Sequence, residues 1–206
     1  MIGYLCGYLR YYYPKEFITS YLNNANNDDD INNGTALAKQ LGITIHPIKF
    51  RHSVAKYSCD DNGVYKGIES IKFCNSQIAD ELYELRNNKY ESFIDLLIDI
   101  QNTSVNSRQL EILIKLNFFE EFGHPNKLLT QVELFNNLYG KKQFKKDKLN
   151  EVKCDAELVK KYAEKETEKM FTKVDTLGLL RELVVTYEYP QTTIYNYLIY
   201  ENECLG

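Results

Sequence analysis

The chain reads as a mainly α-helical protein with a small β-hairpin region. Two kinds of observation lead there. Capped, amphipathic stretches with apolar residues three and four apart recur along most of its length. One stretch, Asp60-Asp61-Asn62-Gly63, separates two short runs with strand character, and Asn-Gly in that setting is a strong hairpin signal. With 206 residues the chain can bury a sizeable core, in one large domain or two small ones.

Met1 to Tyr13 is apolar apart from Arg10, lacks a basic leader and is too short to span a bilayer, so it predicts a buried helix. Pro14 tolerates a first helical turn and opens a second helix over Lys15 to Leu22. Asn23 to Asn33 is rich in Asn and Asp and predicts a polar surface loop. Asp30 or Asn32 then caps a helix whose apolar side is Ala36, Leu37, Ala38 and Leu41, ended by Gly42. Ile43 to His46 predicts a short strand before Pro47, and Tyr57–Cys59 with Val64–Lys66 form the hairpin arms.

The stretch from Val64 to Arg86 carries most of the functional signal. It predicts a strand end, a glycine, a one-turn helix, a tight turn and an amphipathic helix with Ile78, Leu82 and Leu85 on one face. Asn75 stands where an N-cap is needed. Helix, hairpin and helix with outward amides is the layout of a helix-hairpin-helix element, which holds a nucleic-acid phosphate at a helix N-terminus. Gly67 and Asn75 belong to that element, and Lys66 and Lys72 flank it with positive charge. The turn itself, Phe73-Cys74-Asn75, has no glycine to let a phosphate approach the backbone. A phosphate contact and a packing role both stay open for it.

Helical signals continue after Arg86. Ser92 caps Phe93 to Ile100, and Asn106 caps Ser107 to Leu116 with Gln109 completing a capping box. Pro125 opens a helix to about Tyr139. Lys141 to Lys148 then holds five lysines, and residues 141–173 carry eleven Lys against seven Asp and Glu. A solvated linker with a helix face is the expectation there, beside a phosphate-tracking basic patch. Val174 to Tyr187 predicts a helix, whereas Thr192 to Tyr200 fits helix or strand.

Composition limits the chemistry. A net charge of −4 gives no general nucleic-acid footprint, so any such contact is local. The five cysteines lack paired spacing and the three histidines stand apart, which argues against zinc and for a reducing, cytoplasmic compartment. Asp28, Asp29 and Asp30 form an acidic triplet, but a flexible loop does not preorganise metal geometry.

The order GYLCGYLRYYYPKEFITSYLNN, ALAKQLGITIHP, FRHSVAKYSCD, VYKGIESIKFCN, YESFIDLLIDI, VNSRQLEILIKLNFFEEFG and NKLL resembles the bacterial, or phage, DNA polymerase III alpha subunit. Its landmarks are Tyr13-Pro14 with Phe17, Leu41-Gly42-Ile43, Ser53 with Tyr57, Gly67 with Ile71-Lys72, Ser92-Phe93, and Leu110 to Phe119. The likeness covers residues 3 to about 130 and implies the end of the fingers (1–60) followed by a tandem helix-hairpin-helix domain (61–140). Residues 141–206 are then a basic linker and helical segment, and Glu203 to Gly206 resembles the start of an OB fold. The chain reads as an excised fragment.

The resemblance implies duplex or primer–template DNA, the sliding clamp and the rest of the polymerase as partners, with no membrane. It implies no cofactor in this chain, because the aspartates that hold magnesium belong to a palm upstream, and hence no catalysis by the chain alone. Where the family carries a Pro-Pro-Asp-x-Asn-x-Ser-like turn, this chain has Pro47 to Ser53 with Lys49 and Arg51. Those two either touch nucleic acid or pair with Asp60 and Asp61, and pairing is the expectation. Gln131, Leu134 and Phe135 fit the family's clamp-binding peptide by residue type, but their place in a helical apolar stripe favours core packing. The other functional class the sequence admits is a stand-alone phage or mobile-element protein that binds or inhibits a nucleic-acid enzyme.

Overall fold

Prolines and side-chain caps set most of the helix boundaries of the computed structural model, which describes residues 2–150 and 153–205. Among these, residues 2–89, 99–121 and 194–205 form one compact unit, and residues 90–98 and 122–193 form another.

The first unit opens with α1 (Ile2–Tyr12) and α2 (Pro14–Asn23), the latter with Pro14 at its first position. Helix formation in α1 is as expected, but its burial is not. Tyr4 is 81% exposed and Tyr11 77%, with Leu5, Tyr8 and Tyr12 exposed beside them. An apolar run specifies burial only where another element covers it, and α2, against which α1 packs, does not cover these side chains.

The Asn- and Asp-rich segment is mostly helix rather than loop. α3 (Asp28–Gln40) begins five residues earlier than the loop was expected to end. Its cap is Asn27, whose side-chain oxygen accepts the Asp30 N–H at 2.8 Å, not Asp30 or Asn32. Asp28, Asp29 and Asp30 thus fill the first turn, where carboxylates meet the positive end of the helix dipole. Gly42, at φ 70°, closes the helix in the left-handed region.

A three-stranded sheet follows, ordered β1–β3–β2: β1 (Ile45–His46), β2 (Ser58–Asp60) and β3 (Gly63–Tyr65). β2 and β3 pair antiparallel with Asp60 opposite Gly63, so Asp61-Asn62 is the two-residue loop. β1 adds in parallel, Ile45 opposite Val64. Ile18 and Leu22 of α2, Ala38 of α3 and Val64 of β3 make one buried cluster. Further along this unit lie α4 (Ser76–Glu84) and α6 (Ser107–Lys115), whereas α5 (Phe93–Ile100), except for its last two residues, and α7 (Pro125–Leu138) belong to the second unit. Asn75, Ser92 and Asn106 cap α4, α5 and α6, and Gln109 returns a bond to the Asn106 N–H at 2.9 Å. These match the sequence expectation because capping is decided within four residues.

The second unit holds a feature the sequence did not announce. The lysine-rich stretch expected as linker contains β4 (Gln143–Lys145), which pairs antiparallel with β6 (Met170–Val174), itself paired with β5 (Ala163–Glu166). Phe144 and Phe171 face each other across the β4–β6 pair and are buried, while the flanking lysines stay outside or pair with Glu166. One apolar residue, Phe144 in β4 or Ala163 in β5, is enough for an edge strand once β6 supplies the ladder, and no local pattern reveals that partner. α8 (Ala156–Tyr162) and α9 (Thr176–Thr186) complete this unit, α9 packing on α7 and α8.

α10 (Ile194–Leu205) resolves the helix-or-strand ambiguity as helix, and in the first unit it packs against α6. Of Glu203 to Gly206, expected as the start of an OB fold, residues 203–205 lie within it and Gly206 lies outside the described residues. No helix among the described residues is long and apolar enough to cross a membrane.

Candidate nucleic-acid interface

From β3 the chain runs through Gly67 into a 3-10 turn, Ile68–Ser70, then Ile71 to Asn75, and into α4. The side-chain oxygen of Asn75 accepts the Ile78 N–H at 3.0 Å. That leaves the Ser76 and Gln77 amides in the first turn, where N–H groups have no intrahelical acceptor. Ile78 and Leu82 are buried as the spacing requires, joined by Ala79, with Leu85 only half-buried. Replacing Asn75 by Ala is expected to lower stability by about 1 kcal/mol. Urea denaturation would read it, and an unchanged midpoint would show the cap to be dispensable.

The turn supplies the main departure from an ordinary hairpin. Phe73 has φ 70°, in the left-handed region that suits glycine, and its ring is exposed. For a residue with a Cβ that conformation costs roughly 1–2 kcal/mol. Two contacts from α6 hold it. The Gln109 side-chain amide donates to the Phe73 carbonyl at 2.8 Å, and the Arg108 guanidinium carbon lies 3.8 Å above the ring. The sequence pattern marks Gln109 only as a capping residue and does not single out Arg108. Neither pairing has a local signal, since Gln109 and Phe73 are 36 residues apart.

Lys66 and Lys72 are both exposed, on either side of the 3-10 turn. Lys72, Phe73, Arg108, Ile112 and Lys115 line a shallow cleft of about 190 Å³ with Glu111, Glu203 and Cys204. Lys115 is committed there to Glu111 at 2.9 Å and Glu203 at 3.0 Å. Burial opposes its charge, but those two carboxylates outweigh it and raise its pKa. Burial pushes the neighbouring Cys74 thiol up as well.

Lys49 and Arg51 are ion-paired, as expected, but to other partners. Lys49 pairs with Glu120, and Arg51 with Glu121 at 2.9 Å, not with Asp60 and Asp61. Arg51 also donates to the carbonyls of Arg86 and Asn88. The hydrogen bond that Lys49 donates to Glu120 raises the Lys49 pKa. Asp60 instead meets His52 at 2.8 Å and accepts from the Asn62 N–H at 2.7 Å. Its partial burial works against ionisation, but these bonds hold its carboxyl below the usual range. Glu120 and Glu121 follow the α6 turn, so their approach to residues 49–51 depends on the tertiary fold.

Gln131, Leu134 and Phe135 are buried on α7, and the Gln131 amide donates to the Tyr189 hydroxyl at 3.1 Å. The clamp-peptide pattern is therefore core, in line with the favoured reading, because a buried helical face offers no extended strand to a partner. No group of three or more His, Cys, Asp or Glu among the described residues is placed to hold a metal ion. All five cysteines are free thiols.

Comparison with known proteins agrees with this geometry. Residues 42–129 match the profile of the helix-hairpin-helix motif family, a span that holds the Gly67-to-α4 element and α6. The chain is 28% identical over 133 residues to the DNA polymerase III subunit alpha of Treponema pallidum, which is 63% of this chain and 11% of that protein. It is 30% identical over 135 residues to the subunit from Campylobacter jejuni, again 63% and 11%. For the Bacillus subtilis subunit the figures are 30% over 131 residues, 63% and 12%. The chain thus spans about a ninth of the length of these relatives, and the resemblance read from its residues stands.

Proposed function

We propose, from the premise that residues 42–129 are a helix-hairpin-helix region similar in sequence to DNA polymerase III alpha subunits, that this chain is a non-catalytic DNA-binding module of a replicative polymerase. In this reading it engages primer–template DNA beside a polymerase active site that other residues supply, together with any magnesium. The observation that carries it is the profile match falling on a formed turn-and-helix element, capped by Asn75 and flanked by Lys66 and Lys72. First-turn amides and nearby ammonium groups attract phosphate by dipole and by charge, so the contact is local and compatible with an acidic chain. Lys49 and Arg51 have a smaller share, because Glu120 and Glu121 already neutralise them.

The test is a salt titration of the purified chain on fluorescent primer–template DNA. Affinity should fall steeply with salt, and Lys72→Ala should reduce the logarithmic salt slope by roughly 0.9, the loss of one phosphate contact. Absence of binding at low salt would overturn the reading. It would favour the second one, a stand-alone interaction protein, for which the exposed tyrosines of α1 are the supporting observation.

A further inference from the structure

An exposed aromatic ring at a left-handed backbone position is an unfavourable combination that the turn at Phe73 nevertheless keeps. Gly or Asn would fit that backbone better, and the ring contributes little burial in return, being 55% exposed. What the ring does have is a cation on one side. Arg108, exposed on the first turn of α6, stacks over it at 3.8 Å. Gln109, the next residue, fixes the Phe73 carbonyl, and Gln109 is itself held by the capping box with Asn106. The pair is therefore positioned by a rigid helix start rather than by a loose turn.

A Phe ring with a guanidinium against it, next to a lysine and open to solvent, has the chemistry of a base-stacking platform. Aromatic faces stack on any base, and a nearby cation takes the adjoining phosphate. Lys72 precedes the ring directly, and both line the same cleft with Arg108. Lys72, Arg108 and Lys115 line that cleft with Glu111 and Glu203, three cations with two carboxylates, so its formal charge is positive.

We propose that Phe73 and Arg108 form a stacking platform for an unpaired base of a single-stranded nucleic acid, with Lys72 at its phosphate. On this view the turn takes the single-stranded part of a primer–template through its bases, not a duplex phosphate through its amides. The inference rests on the nucleic-acid-binding reading above and refines which part of the ligand this element meets.

Three labelled probes test it by fluorescence anisotropy: a short single-stranded oligodeoxynucleotide, an abasic strand of the same length and charge, and a blunt duplex. The chain should bind the base-bearing strand roughly tenfold more tightly than the abasic one. Phe73→Gly should abolish that preference while leaving abasic-strand binding in place. Phe73→Tyr, which keeps the stacking face, should retain the preference. The glycine variant suits the left-handed backbone, so its melting temperature should be equal or higher, and its loss of preference is not a folding defect. Equal affinity for base-bearing and abasic strands, or a preference that survives Phe73→Gly, overturns the platform while leaving the DNA-binding reading intact. Failure of all three probes to bind at low salt overturns both.

Discussion

Phe119→Ala is expected to lower the stability of the first unit by about 3–5 kcal/mol, the largest effect of any single change considered. Phe119 is fully buried, with ring centroids 4.8 Å from Phe118 and 5.5 Å from Phe50, which are buried as well. The Phe50 N–H also donates to the Phe118 carbonyl at 2.9 Å, tying the segment after β1 to the turn after α6. Truncation removes the apolar area of one ring, leaves a void its rigid neighbours fill poorly, and loses the edge-to-face contact with Phe118, worth roughly 0.5–1.5 kcal/mol, and the tilted one with Phe50. A domain of this size has about 5–15 kcal/mol in total, so the variant should unfold at much lower urea concentration. The m-value should hold if the transition remains two-state. A loss below about 1 kcal/mol would mean that the aromatic cluster can repack.

Gly67→Ala should cost about 3 kcal/mol, through the opposite fault. Gly67 has an ordinary extended backbone, φ −81° and ψ 152°, so its left-handed freedom is not what the position uses. What it lacks is room. A Cβ there would press on the Ala55 carbonyl and on the backbone of Lys56. The same segment accepts the Ile68 N–H at the Val54 carbonyl, 2.9 Å, and the Glu69 N–H at the Ala55 carbonyl, 3.0 Å. A methyl group can be accommodated only by parting those bonds, which anchor the 3-10 turn that leads to Phe73 and α4. Faster hydrogen exchange at Ile68 and Glu69, with a lower urea midpoint, would confirm it. Wild-type exchange with an unshifted midpoint would show that residues 54–56 yield freely.

Gly67 was singled out on sequence for its place in a helix-hairpin-helix pattern, and its packing reason became visible only when residues 54–56 came into contact with it. Caps behave differently. Asn75 and Asn106 were legible as N-caps because the donor, the acceptor and the chain between them lie within one turn. Asn27 does not stand out because the neighbouring Asn and Asp residues offer several equivalent caps, and the structure uses one upstream of Asp30 and Asn32. Lys49 and Arg51 were rightly expected to be paired, but their acids were sought nearby at Asp60 and Asp61. The partners are Glu120 and Glu121, far along the chain. Likewise Arg108 and Phe73 meet only through the packing of α6 beside the turn.

Helix identity, most helix starts and the β2–β3 hairpin follow from interactions spanning a few residues, which periodicity, prolines and cap side chains encode directly. The helix-hairpin-helix resemblance was legible for the same reason, being a run of local elements in a set order. Burial of α1, the β4–β6–β5 sheet and the Phe73–Arg108 stack were not, since each depends on which distant segment arrives to cover, pair with or stack on a given side chain. That selection is made by long-range packing and strand pairing, where one local pattern is compatible with several neighbours.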